Sequence, residues 1–208
     1  SLSAHASLRG VRCVFVTRAA LGQILPPLPG AHQENNAALA AALAREMAQS
    51  PDAAIEAGIR AVRWPGRLET IAQDPTVVAD VGHTPGAIAA ALAGFQAMHP
   101  GPANALVCGA SADKNAEELI ARLAPAFGVI ICTAARHKGR APAEIAAIAR
   151  AANPRARIEI ASDVETALAI ARRAARGRGA VYVAGGLFVA AEAMAAAQGR
   201  NPAALRFF

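Results

Sequence analysis

The sequence predicts an α/β fold in which a mostly parallel, doubly wound sheet carries helices on both faces. Three observations predict it. From Thr76 onward, short runs of branched residues alternate with longer alanine-rich stretches, the alternation that builds parallel strands joined by helices. Hydrophobic residues make up 54% of the 208-residue chain, enough apolar surface to offset the entropy of ordering it. Aromatics supply only 4%, which favours closely packed helices over an aromatic-rich β sandwich.

The first sixty residues stand outside that alternation. Val11–Thr17 reads as a strand, Leu25–Gly30 (LPPLPG) as a rigid turn, and Gln33–Ala48 as one long helix. A strand and a helix bury too little apolar area to form a domain. Residues 1–50 are therefore expected to be the tail of a preceding domain, with a boundary between Met47 and Asp52 and a second domain over residues 51–208. A complete protein with an N-terminal arm is the other arrangement.

Beyond the boundary, Trp64–Thr70 (WPGRLET) reads as a Pro-Gly turn that delivers Arg67 to the start of an extended run. Strands are expected at Thr76–Asp80, Ala105–Cys108, Val129–Thr133, Arg157–Ile160 and Ala180–Ala184. The intervening helices are expected at Pro85–Met98, Lys114–Ala124, Pro142–Ala152, Val164–Arg176 and Leu187–Ala197, several of them opening beside Asp, Thr or Pro. Ligands of such sheets bind at the carboxyl ends of the strands. Asp80–Pro85, Gly109–Asn115, Thr133–Arg140 and Gly185–Leu187 should then share one rim.

The formal charge of +6 comes mostly from arginines scattered singly. The densest group, Arg172, Arg173, Arg176 and Arg178, falls at the end of an expected helix, where cations suit the negative end of the dipole. Nucleic acid is not an expected partner; a modest positive field suits small anions instead. The three cysteines, Cys13, Cys108 and Cys132, each sit in an apolar run and are expected to be buried thiols rather than a disulfide framework or metal ligands. No run approaches about 18 uninterrupted apolar residues, and no charged-then-apolar leader is visible, so a cytoplasmic chain without a membrane partner is expected.

Five stretches carry candidate chemistry. In Asp80–Ile88 (DVGHTPGAI), Asp80 can meet ribose hydroxyls or a positive ligand group, and His83 an anion or a ring, while Thr84 and Pro85 open a helix. A capped helix after a strand accounts for the same residues without any function. Arg67 can grip a phosphate or carboxylate with two parallel hydrogen bonds, or merely solvate its turn. In Gly109–Leu119, Asp113 is expected near a helix cap and Lys114 in the first turn, a position against the dipole preference that suggests service to a ligand. Arg136–Ile145 (RHKGRAPAEI) offers a basic loop, either an anion site or a solvated edge. Gly185-Gly186 lets backbone approach a ligand closely.

Taken in order, these motifs resemble the folylpolyglutamate synthase/dihydrofolate synthase branch of the Mur ligase superfamily. Pro65-Gly66-Arg67, then Asp80, His83 and Pro85, then Gly109, Asp113 and Lys114, then Gly139-Arg140-Ala141, then Gly185 match that family's C-terminal, Rossmann-like domain. Upstream, Leu28–Ala40 (LPGAHQENNAALA) resembles the helix that closes its central ATPase domain. The resemblance implies an ATP-dependent amide ligase that joins the carboxylate of dihydropteroate or folate to the amine of glutamate through an acyl phosphate. By the same resemblance, Asn36 faces the adenine, Arg67 and Asp80 the phosphate and ribose side, and His83 the junction of nucleotide and glutamate. His83 and Lys114 are then the catalytic candidates; His83, Thr84, Arg140 and Gly186 are the substrate-binding ones.

The family's phosphoryl transfer needs a Gly-rich loop, its lysine and Mg²⁺, and no such G-x-x-x-x-G-K-[ST] occurs in the sequence. ATP and Mg²⁺ are therefore expected to be held mainly by a missing central ATPase domain, with this chain monomeric, closing over the nucleotide and inactive alone. Three positions depart from the pattern: Thr84 stands where the family has Asn, Asn115 where it has Asp, and Gly186 where it often has Ser. These departures keep open a divergent ligase with another substrate, or a binding module without catalysis.

Overall fold

The computed structural model describes residues 13–207. The chain divides into two units: Ala31–Arg63 with the chain before Leu28, and Leu28–Gly30 with everything from Trp64 onward.

In the first unit, α1 spans Ala31–Ala48 and α2 spans Asp52–Ala61. Leu21, Ala38, Ala41, Ile55 and Ile59 form their shared core, and Arg45 Nε donates to Asp52 Oδ1 at 2.7 Å. The expected boundary near residue 50 is therefore corrected to Arg63/Trp64. Ile55 and Ile59 fall one helical turn apart and bury α2 against the preceding helix, so Asp52–Ala61 belongs with what comes before it. Val11, in the expected strand Val11–Thr17, lies outside the described residues. Residues 13–17 form no strand but lead into a 3-10 turn at Arg18–Leu21. Without a sheet to cover it, Cys13 is exposed, whereas Cys108 and Cys132 are buried as expected.

The second unit is the doubly wound sheet. Its strands are β1 (Glu69–Ala72), β2 (Val77–Ala79), β3 (Ala105–Cys108), β4 (Val129–Cys132), β5 (Arg157–Ile160) and β6 (Val181–Ala184). They lie in the order β1-β2-β6-β3-β4-β5, parallel except for β1, which pairs antiparallel with β2 at the edge. The helices are α3 (Pro85–Met98), α4 (Ala116–Leu123), α5 (Pro142–Ala152), α6 (Val164–Ala175) and α7 (Leu187–Ala197).

Alternation along the strands sorts the helices. Val78, Leu106, Cys108, Ile130, Cys132, Tyr182 and Ala184 face α3, α4 and α5. Val77, Ala79, Ala105, Val107, Ile131, Val181 and Val183 face α6 and α7. Tyr182 stacks on Phe95 with ring centroids 4.5 Å apart at the centre of the first layer. Among the helices of this unit one start shifted from expectation: α4 begins at Ala116 rather than Lys114, because Asn115 caps it by accepting from Glu118 N at 3.2 Å.

Candidate functional site

β6, the last strand in sequence, lies between β2 and β3. The helices after β2 and β3 lie on one face and the helix after β6 lies on the other. Neighbouring strands whose connections leave on opposite faces open a crevice at their carboxyl ends, where ligands of open α/β sheets bind. The loops beginning at Asp80, Gly185 and Gly109 therefore border one crevice, and the loop after β4 adjoins it.

Backbone contacts at this rim are close. Gly185 has φ +112°, and a Cβ there would stand 1.9 Å from the carbonyl oxygen of Gly109, so only glycine fits. Gly186 then serves as N-cap of α7 with no side chain capping that helix. Further along, Arg140 N donates to Ala110 O and Ala112 N to Lys138 O, each at 2.8 Å, which joins the loops after β3 and β4 around the Ser111–Gly139 bridge.

Asp80 is 3% exposed. Its Oδ2 accepts from Leu68 N at 3.1 Å and its Oδ1 from Gly82 N at 2.8 Å. The carboxylate thus joins the Pro-Gly-Arg turn to the end of β2, and Val81 N donating to Gly66 O at 2.9 Å adds a second tie. Leu68 sits at φ +47° yet is 1% exposed, so its buried side chain and its bond to Asp80 hold an unfavourable backbone in place. Asp80 was expected to face ribose hydroxyls; in this structure two of its acceptor sites serve backbone N–H groups. Arg67, between two residues fixed in this way, is half-buried, and its guanidinium has no ion-pair partner among the described residues.

His83 is exposed beside the crevice, with Nδ1 3.3 Å from Val81 O. Thr84 caps α3 by accepting from Ala87 N at 3.3 Å. Lys114 is exposed, with its ammonium 3.8 Å from Asp113 Oδ2; it precedes α4 rather than lying in its first turn, so the dipole argument for it falls away. Asp113 lies two residues before the Asn115 cap, near it as expected.

Arg140 differs most from expectation. Its Nη1 donates to Glu117 Oε1 and Oε2 at 3.0 and 3.1 Å, and its Nε lies 3.1 Å from Glu144 Oε2. Two carboxylates neutralise the guanidinium expected to bind a substrate anion. The Glu117 carboxyl is held below its ordinary range, chiefly by a backbone N–H and then by Arg140. Asn36 lies in α1 of the first unit, where its Nδ2 donates to Gln33 Oε1 at 3.0 Å. Among the described residues, no group of three or more His, Cys, Asp and Glu is arranged to hold a metal ion.

Glu192 escaped the sequence reading, and Thr133 entered it only as the last residue of the expected strand and the first of the rim loop after it. Glu192, in α7, is 1% exposed and accepts from Arg136 N at 2.7 Å; burial raises its pKa. Thr133, fully buried after β4, leaves its hydroxyl without a partner. Glu192 could have been found as the lone acid in the apolar run LFVAAEAMAAA; nothing local marks Thr133.

The sequence profile of the Mur ligase, glutamate ligase domain family matches residues 66–187, more than half of the chain. The chain belongs to this family. The match opens at the Pro-Gly-Arg turn and closes at the start of α7, so it contains every rim residue named above except Glu192, and it leaves out Asn36. A probable bifunctional folylpolyglutamate synthase/dihydropteroate synthase of Haloferax volcanii is 36% identical over 173 residues, covering 80% of this chain and 20% of that protein. A dihydrofolate synthase/folylpolyglutamate synthase of Mycobacterium tuberculosis is 36% identical over 157 residues, covering 70% of this chain and 31% of its own length. A folylpolyglutamate synthase structure from Mycobacterium tuberculosis, complexed with ADP and AMPPCP, superposes with a TM-score of 0.73 at 29% identity, over 86% of this chain and 42% of that one. The similarity is to the C-terminal part of folylpolyglutamate synthase/dihydrofolate synthases. The chain thus spans about a fifth to a third of these curated relatives.

Proposed function

We propose that this chain is the nucleotide-closing, glutamate-side part of an ATP-dependent ligase that adds glutamate to dihydropteroate or folate. One observation carries the reading. Arg67 has no ion-pair partner among the described residues, and the residues on both sides of it are tied to the post-β2 turn. A pre-positioned, unpaired guanidinium is suited to a phosphate.

ATP, when bound, supplies the phosphoryl group that activates the acceptor carboxylate. The rest is positioning and charge neutralisation by the protein. Arg67 would meet the phosphates, and Asp80 would hold the Arg67 turn and the start of the His83 loop in one geometry. His83, exposed and one residue before the α3 cap, would sit where the amine of glutamate approaches. The uncapped N-terminus of α7 at Gly186 offers backbone N–H groups to a carboxylate, a role that asks for no Ser hydroxyl. Lys114 adds a cation to the same rim, and Asn36 would face the adenine. Mg²⁺ and the phosphate-binding loop would come from a central ATPase domain, with small-molecule partners only, as a monomer in the cytoplasm. Closure of the rim over the nucleotide would exclude water from a reactive acyl phosphate.

The pairing of Arg140 with Glu117 and Glu144 favours a second reading, in which the amine differs from glutamate or catalysis has been lost. One experiment separates the two. Arg67→Ala in the full-length protein should lower folate- and glutamate-dependent ADP release at least 100-fold, with a melting temperature close to wild type. Undiminished release in that variant overturns the role given to Arg67. Wild-type protein that binds nucleotide yet releases no ADP with glutamate selects the second reading.

A further inference from the structure

Within the apolar helix α7 a single acid, Glu192, is buried to 1% exposure. An ionised carboxylate so placed is costly unless strong donors meet it. The donor here is the backbone amide of Arg136, at 2.7 Å, and the charge of Arg136 and the neighbouring His137 N–H also favour the ionised carboxylate. Arg136 and His137 lie in the loop after β4, on a different element from the carboxylate.

That loop is gripped from two sides. Its far end, Lys138–Arg140, is bonded to Ala110 and Ala112 of the post-β3 loop. Its middle is bonded through Arg136 N to Glu192, six residues along from the Gly186 cap of α7. The His137 ring adds edge contact with Phe188 in the first turn of α7, with centroids 4.6 Å apart. The span from the β3 end to the first turns of α7 is thereby closed by hydrogen bonds, with Glu192 as the acceptor on α7.

From this geometry we infer that Glu192 is a positioning residue for the amine-substrate side of the rim. It clasps the post-β4 loop to α7, so that the loop bearing Arg140 and the Gly186 end of α7 keep a fixed separation. The inference rests on the proposed reading of that rim as the place where the glutamate carboxylates bind. Glu192 itself touches no substrate; it acts through Arg136 and His137. An apolar side chain of the same size would leave the Arg136 N–H without its acceptor, so the acid is what ties the loop to α7.

The test uses the full-length protein with Glu192→Gln, which keeps the size and one acceptor oxygen, and Glu192→Ala, which keeps neither. The glutamate KM should rise about tenfold in the alanine variant and by less in the glutamine variant, with the ATP KM within about twofold of wild type and kcat normalised to folded protein. Amide hydrogen exchange should quicken at least tenfold at Arg136 and His137 in Glu192→Ala and stay unchanged in β3 and β6. A glutamate KM equal to wild type in both variants, or equal rises in the glutamate and ATP KM, overturns the inference. Unchanged exchange at Arg136 and His137 overturns the clasp itself. Should the wild type show no glutamate-dependent turnover while exchange responds as stated, the proposed function fails and the clasp stands. If the alanine variant does not fold, the glutamine variant carries the same readings.

Discussion

Replacing Asp80 by alanine removes the acceptor for two backbone N–H groups, those of Leu68 and Gly82. Each buried donor left without a partner costs about 1–3 kcal/mol, and bonds to a carboxylate sit at the stronger end of that range. No longer burying a charge offsets part of the sum, so the expected net loss is about 2–5 kcal/mol. Leu68, at φ +47°, would lose a bond that holds its backbone, and the Arg67 turn would loosen with it. Asparagine keeps one acceptor oxygen and should cost about 1–2 kcal/mol. Urea denaturation followed by circular dichroism measures both losses against a total stability of about 5–15 kcal/mol. Nucleotide affinity should fall in proportion to the loosened turn, more in alanine than in asparagine. An alanine variant within about 0.5 kcal/mol of wild type, the size of an ordinary surface change, would refute the account of Asp80 as the tie between turn and strand.

Gly185→Ala combines a left-handed backbone with a Cβ 1.9 Å from Gly109 O, and should destabilise by about 2–6 kcal/mol; Gly177→Ala, at φ +65° with open space around it, should cost only about 1–2 kcal/mol, so equal losses in denaturation would contradict the close approach. Tyr182→Phe removes a buried hydroxyl that has no partner and keeps the stack on Phe95; thermal melting should show no loss and a gain of up to about 1 kcal/mol. Asp163 caps α6, and Thr166 N–H first and the Ser162 hydroxyl second hold its pKa below the ordinary value. Its stabilising contribution is complete above the unfolded-state pKa and disappears as pH falls through the lowered one, so between pH 5 and about pH 2 wild type should lose more melting temperature than Asp163→Asn.

The architecture of the second unit was legible because its signals are local. Branched runs such as VIIC and VYVA cannot be mistaken for the alanine-rich stretches between them, and Thr84-Pro85 announces the start of α3. What stayed hidden depends on pairing across the chain. Nothing in the run ETIA says that β1 would turn antiparallel, nor in VYVA that β6 would settle between β2 and β3. The pairing of Arg140 with Glu117 is hidden because the two lie 23 residues apart. A carboxylate at a strand end can turn outward to solvent or inward to backbone, and the bond from Leu68 to Asp80 spans 12 residues, beyond any local signal. The helix Asp52–Ala61 was missed because it buries only Ile55 and Ile59, too short a stripe to stand out from a loop.

β6, which sits inside the sheet, is the last of its six strands to leave the ribosome. Until Val181–Ala184 emerge, β2 and β3 have no common partner, and the nascent chain holds an interrupted sheet with two unsatisfied edges. A stop codon just upstream of Val181 would therefore remove the keystone and not the trim. Shortened products ending before Val181 should fail as whole domains, collecting in the insoluble fraction, while those ending after Ala197 keep every strand.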